Sequence, residues 1–226
     1  MSLKLLLTSG GIQNNSIKKS LIELIGKPIH TANALCITTA SYALENGPIL
    51  AYRFLTGINN ETPMCELGWK SIGVLELSTI PNSNKEFLPS ILKDIDVLLV
   101  NGGDPMYLNY WMKQSGLASL LPSLDITYVG LSAGSMILAP NIGNDFVNWK
   151  DPENTDITLG LVDFAIYPHL NHPKLPNNTL ENAQKWSEKM QCTCYVIDDQ
   201  TAIKVLQNKI TVVSEGNWTT IEKTVL

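Results

Sequence analysis

The chain is poor in the residues that bind polyanions, metals and bilayers. Only 16% of its 226 residues are charged, the formal net charge is −5, and lysine and arginine form no cluster. That composition excludes a nucleic-acid partner, because phosphate backbones are held by clustered cations. Histidine occurs three times and cysteine four times, at 36, 65, 192 and 194. Cys192 and Cys194 lack the paired spacing of a zinc site and have no histidine nearby, so no metal is expected. Cys36 lies in the apolar run ALCITTA and reads as a buried strand residue. Sparse cysteine of this kind suggests a reduced, cytoplasmic setting. Long apolar runs are missing too. MSLKLLLTSGG is too short for a signal peptide or for the ~20 residues of a spanning helix, and no membrane association is expected. Glycine and proline (15 and 12 residues) are near average, so no segment reads as disordered.

What is present is ordinary globular composition, 44% hydrophobic, at a length that fits one domain spanning 1–226. Short apolar runs at 3–8, 34–39, 72–77, 97–100 and 127–131 read as strands. Helical patterns stand between them. In SIKKSLIELIG, Ile17, Leu21, Ile22 and Ile25 follow helical spacing, and Gly26 with Pro28 ends the pattern. Segments 47–57, 86–93 and 105–116 also read as helices, the last with Pro105 in its first turn. Nearly all-apolar strands alternating with helices imply a parallel sheet covered on both faces. Residues 140–160 are polar and read as a loop or small ribbons, followed by a helix at about 179–190. Runs at 194–197, 201–205, 209–213 and 217–221 are spaced like antiparallel hairpins, with turns at Asp198-Asp199, Asn208 and Glu215-Gly216-Asn217. The expected fold is therefore α/β, a three-layer sandwich with a mainly parallel central sheet and a small antiparallel β section near the C-terminus.

In open α/β sheets, sites collect beyond the carboxyl ends of the strands. Three small-residue loops lie there: Ser9-Gly10-Gly11, Asn101-Gly102-Gly103-Asp104, and the turn at Ser132. The stretch YVGLSAGSMI contains Gly130-Leu131-Ser132-Ala133-Gly134, the G-x-S-x-G pattern of a nucleophile placed on a strand-to-helix turn. A serine nucleophile needs a base, and the base is usually a histidine held by a carboxylate. His30, beside Pro28, flanks a turn. His169 and His172, in AIYPHLNHP, follow an apolar run and so stand at a strand end, His169 being the stronger candidate base. Asp145, Asp151, Asp156 and Asp163 all lie between serine and histidine, and composition does not choose among them. The amide of Ala133, with that of Gly102 or Gly103, is suited to hold an oxyanion. Gly-Gly-Asp-Pro lacks the glycines of a nucleotide fingerprint, which makes a phosphate site the weaker reading. His169 follows Ser132 by only 37 residues and 57 more follow it, a spacing too compact for an α/β-hydrolase.

Several ordered motifs together resemble the peptidase E (aspartyl dipeptidase) family of serine peptidases, whose fold is related to class I glutamine amidotransferases. They are LLLTSGG, VLLVNGGDPMYL, YVGLSAGS, the YPH segment and SEGNWTTI, and they run through most of the chain. The resemblance implies Ser132 as nucleophile, His169 as base, and Gly103 and Ala133 as oxyanion donors. It implies Asp145 as the orienting acid, because the family's aspartate lies in an Asn-Asp pair after a proline; Pro140 and Asn144-Asp145 match, with a loop two residues shorter. Gly10, Gly102 and Asp104 are the expected substrate-binding positions. The implied activity is hydrolysis of short peptides, Asp-X dipeptides among them, by a monomer or small homo-oligomer without a metal or organic cofactor. The family's arginine-containing segment after the histidine is here NHPKLPNNTLENAQKW, with Lys174 and no arginine. Two other readings stay open: a hydrolase of another small amide or ester, and a non-catalytic binding module in which Ser132 only makes a turn.

Overall fold

The computed structural model describes residues 3–58, 61–80, 86–150, 152 and 155–223. In chain order the strands are β1 Lys4–Thr8, β2 Asn33–Ile37, β3 Ser71–Val74, β4 Val97–Val100, β5 Thr127–Leu131, β6 Phe164–Tyr167, β7 Thr193–Ile197, β8 Thr201–Leu206, β9 Lys209–Ser214 and β10 Trp218–Ile221. The helices are α1 Asn15–Ile25, α2 Gly47–Thr56, α3 Phe87–Leu92, α4 Pro105–Gln114, α5 Leu117–Leu120, α6 Ala133–Met136 and α7 Leu180–Ser187.

Seven strands form the main sheet in the order β3-β2-β4-β5-β1-β8-β9. The first five are parallel, and the β8–β9 hairpin adds to β1 in antiparallel fashion. Strand alternation divides the core between the two faces. Leu5, Leu7, Leu35, Ile37, Leu98 and Val100 pack on one side with α3, α4 and α5. Leu6, Ala34, Cys36, Val97, Leu99 and Val129 pack on the other, against Ile17, Leu21 and Leu24 of α1. Helices cover both faces, as the all-apolar strands require. Strand β3 is shorter than the apolar run 72–77 suggests. It is an edge strand with Ile72 and Val74 exposed, and beyond Val74 the chain turns to place Leu77 in the core.

The hairpin reading of the C-terminal strands holds for β8–β9 and fails between β7 and β8 and between β9 and β10, whose members lie in different sheets. A second sheet, in the order β10-β7-β6, pairs β7 antiparallel to β10 and parallel to β6. After β7 the chain therefore leaves the small sheet and enters the large one as β8. Each strand goes where its apolar faces are covered. Ala202 and Ile203 of β8 join the main core, while Cys194 and Val196 of β7 pack with Trp186 of α7. The Asp198 carboxylate braces the junction by accepting from Gln200 N at 3.0 Å and from the Thr201 hydroxyl at 2.8 Å.

Adjacency of β4, β5 and β1 brings the three small-residue loops together. Register pairs Val100 with Gly130 and Leu131 with Thr8, so Asn101, Ser132 and Ser9 emerge side by side at one sheet edge. Among the described residues no helix is long and apolar enough to cross a membrane.

Candidate active site

Ser132 caps α6 with φ 50° and ψ −110°, a conformation that costs a non-glycine residue roughly 1–3 kcal/mol. The surrounding bonds hold it there. Ser132 N donates to Thr8 O at 3.0 Å, while Ser135 N and Met136 N donate back to Ser132 O at 2.8 and 2.9 Å. Ser135 Oγ also reaches Thr8 O (2.8 Å), and the buried Tyr128 hydroxyl donates to Gly134 O at 2.6 Å. Strand, elbow and helix are thus one braced unit.

His169 stands two residues beyond β6, also at positive φ (60°). Its backbone is fixed by His169 N donating to Ser9 Oγ at 2.7 Å and by the neighbouring Leu170 N donating to Ile197 O at 3.0 Å. The ring lies between two partners, with Nε2 2.9 Å from Ser132 Oγ and Nδ1 2.7 Å from Asp199 Oδ1. An ionised carboxylate only accepts, so the neutral ring carries its proton on Nδ1 and turns the Nε2 lone pair to the serine hydroxyl. That is the tautomer a general base needs.

The carboxylate behind His169 is Asp199, not Asp145. Asp145 is half exposed and ion-paired with Lys189 Nζ at 2.9 Å. Asp156 braces its own loop through Asn141 and Gly143, Asp163 is exposed, and Asp151 lies outside the described residues. Asp199 stands two residues beyond β7, as His169 does beyond β6. Because β6 and β7 are parallel neighbours, the two side chains meet. Ser9 Oγ donates to the same carboxylate oxygen at 2.6 Å while accepting from the His169 amide. Burial pushes the Asp199 carboxyl up, but the hydrogen bond and charge of His169, the Ser9 hydroxyl and the charge of His172 outweigh it and hold it below its ordinary range.

The Asn101–Asp104 turn forms the opposite wall. Asn101 Oδ1 accepts from Gly102 N at 2.8 Å, which occupies that amide and leaves Gly103 N as the candidate oxyanion donor beside Ala133 N. Gly103 has φ 142°, and a Cβ there would lie 2.2 Å from Ala40 O, so only glycine fits. Gly102 lines the cleft. Gly10 and Asp104, the other two expected substrate-binding positions, are not among the residues that line it, and each makes a structural contact. A Cβ on Gly10 would come within 2.6 Å of Asp199 Cβ, so this glycine makes room for the acid. Asp104 is buried and caps α4, accepting from Tyr107 N at 2.9 Å and from Trp149 N at 2.7 Å. Its task is to tie the 140–150 segment to that helix.

A cleft of about 310 Å³ opens over Ser132 and His169. Its far wall carries Ser41, Leu50, Arg53, Glu61, Thr62 and Lys174. Lys174 is ion-paired with Glu61. Arg53, the only arginine in the chain, has no ion pair among the described residues. Sequence reasoning missed Asp199, Ser9 and Arg53. Asp199 stands just past a strand, as Ser9, Ser132 and His169 do, but that place alone does not set it apart from a turn residue. No group of three histidine, cysteine, aspartate or glutamate side chains that could hold a metal ion occurs among the described residues.

Comparisons with known proteins bear on the family and the fold. The sequence model of peptidase family S51 matches residues 5–213. An uncharacterised peptidase of Pasteurella multocida (strain Pm70) is 35% identical over 158 residues, covering 65% of this chain and 70% of its own length. One from Listeria monocytogenes (strain EGD-e) is 28% identical over 145 residues, covering 59% and 68%. Among solved structures, a Listeria monocytogenes EGD-e protein assigned to peptidase E superposes with a TM-score of 0.67 at 20% identity, covering 96% of this chain and 100% of that one. A peptidase from an acI-B1 actinobacterium gives 0.60 at 19% identity, covering 99% and 88%. At those identities the structural likeness carries the fold alone.

Proposed function

Because the chain belongs to peptidase family S51, we propose that it is a serine peptidase of the peptidase E type, hydrolysing dipeptides and other short peptides through Ser132, His169 and Asp199. The observation that carries this reading is the position of His169, bonded at once to Ser132 Oγ and Asp199 Oδ1. Ser132 Oγ attacks the scissile carbonyl as His169 Nε2 takes its proton. The oxyanion is held by the amides of Gly103 and Ala133, and Asp199 stabilises the imidazolium. His169 then protonates the leaving amine, and water hydrolyses the acyl-serine by the same steps in reverse order of roles.

The modest cleft suits small substrates. Arg53 in its wall, which makes no ion pair among the described residues, supports selection of a substrate with an acidic side chain, Asp-X dipeptides being the narrower form of the proposal. Two measurements test the reading together. A fluorophosphonate probe is expected to label wild-type protein and not Ser132→Ala, and a panel of Asp-X, Glu-X and neutral dipeptides with simple esters is expected to show peptide turnover. Labelling that survives Ser132→Ala would refute the nucleophile, and turnover of esters alone would refute the peptidase.

A further inference from the structure

Asp199 has a third neighbour that the reaction as described does not use. The other oxygen, Oδ2, lies 3.5 Å from His172 Nε2. The two imidazoles stand edge to face with ring centres 5.9 Å apart. A separate cavity of about 220 Å³, lined by His172, Asp198, Asp199 and Asn217 among others, opens beside the carboxylate. One carboxylate therefore sits between two histidines, each presenting a ring nitrogen to a different oxygen.

The proton on His172 is placed by its own neighbour. Lys174 N donates to His172 Nδ1 at 3.1 Å, so Nδ1 is the acceptor and the neutral ring carries its hydrogen on Nε2, toward Asp199. If the ring gains a second proton, its positive charge faces the same carboxylate. In either state the electropositive edge of His172 meets Oδ2, while Ser9 and His169 share Oδ1. The remaining charged groups around His172 are Asp198 across the cavity and the Glu61–Lys174 ion pair, whose members oppose each other.

We infer that His172 is a positioning residue for this site: by drawing on Oδ2 of Asp199 it limits how strongly that carboxylate holds a proton on His169, and so keeps the site active at lower pH. The inference rests on the proposed roles of Ser132, His169 and Asp199. A general base works only when unprotonated, so the pH at which activity is lost on acidification tracks the stability of the His169 imidazolium. A carboxylate with its charge shared stabilises that imidazolium less. Removing His172 returns the whole charge to His169 and raises the acid limb. A permanent cation at 172 does the opposite.

The test is the rate at which a fluorophosphonate labels Ser132 between pH 4.5 and 9, for wild type, His172→Phe, His172→Gln and His172→Lys. The midpoint of the acid limb is expected to rise by about 0.5 to 1 pH unit in the Phe variant. It falls below the wild-type value in the Lys variant and stays near it with Gln, whose amide restores a donor. Rates at the high-pH plateau change little. A packing role alone would move all variants the same way or move only their plateaus. A common midpoint, or Phe and Lys shifting in the same direction, would overturn the inference while leaving the serine nucleophile intact. Wild-type protein that fails to label would overturn both. If the Phe variant fails to fold, the Gln and Lys pair still decides, since the Lys midpoint must lie below that of Gln.

Discussion

Asp199 reaches His169 from a loop that joins two different sheets, Oδ1 to Nδ1 at 2.7 Å, while Asp145 is turned outward onto Lys189. The two aspartates therefore make opposite predictions. Asp199→Asn keeps the shape but favours the wrong imidazole tautomer, and kcat on a dipeptide substrate is expected to fall by about three to four orders of magnitude. Asp145→Asn removes a half-exposed ion pair and leaves kcat within about twofold. Steady-state kinetics on the two variants checks both, and the reverse ranking would restore Asp145 as the acid.

The same carboxylate links the site to acid stability. Asp199 is held below its ordinary range in the folded protein, so its contribution is complete above the unfolded value near ~3.9 and is lost as pH falls through the lower folded value. Urea denaturation at pH 5, 4 and 3 is expected to show a smaller loss of stability on acidification for Asp199→Asn than for wild type. Parallel loss in both would mean that Asp199 titrates alike folded and unfolded.

Gly103 meets Ala40 O too closely for any side chain and holds a φ that L-residues avoid. Gly103→Ala is expected to lose at least about 2 kcal/mol of stability, from backbone strain and overpacking together. Urea midpoints at unchanged m-value read that loss. Activity should fall further than the remaining folded fraction explains, because the displaced amide is the candidate oxyanion donor.

Arg53 offers a test of substrate choice. Replacing it with alanine is expected to lower kcat/KM for dipeptides beginning with Asp or Glu by about 10- to 100-fold, the size of a lost charge-assisted contact. Neutral dipeptides should change by less than about threefold. Equal losses on both classes would assign Arg53 to the fold of the cleft rather than to recognition.

Much of this architecture was legible along the chain. Leu5, Leu6 and Leu7 lie in an all-apolar run because β1 is buried on both faces, and that pattern predicts a covered parallel sheet. Ser132 was legible from the glycine spacing around it, and His169 from its place after an apolar run. Asp199 was not. Asp198-Asp199 between two β-branched runs has the local chemistry of a hairpin turn, and nothing local distinguishes that from a chain changing sheets. The choice depends on which partners β7 and β8 find, β6 and β1, roughly 30 and 200 residues away in sequence. Arg53 was hidden for a similar reason: it lies on α2, which sequence spacing does not connect to the serine.

The change of sheet at Asp198–Gln200 also makes activity a reporter of tertiary order. Ser132 belongs to the large sheet, His169 to the small one, and Asp199 to the connection between them. A slight parting of the two sheets would leave every strand paired and the circular dichroism spectrum intact, yet it would silence the enzyme. Under gentle denaturation, turnover should vanish before secondary structure does.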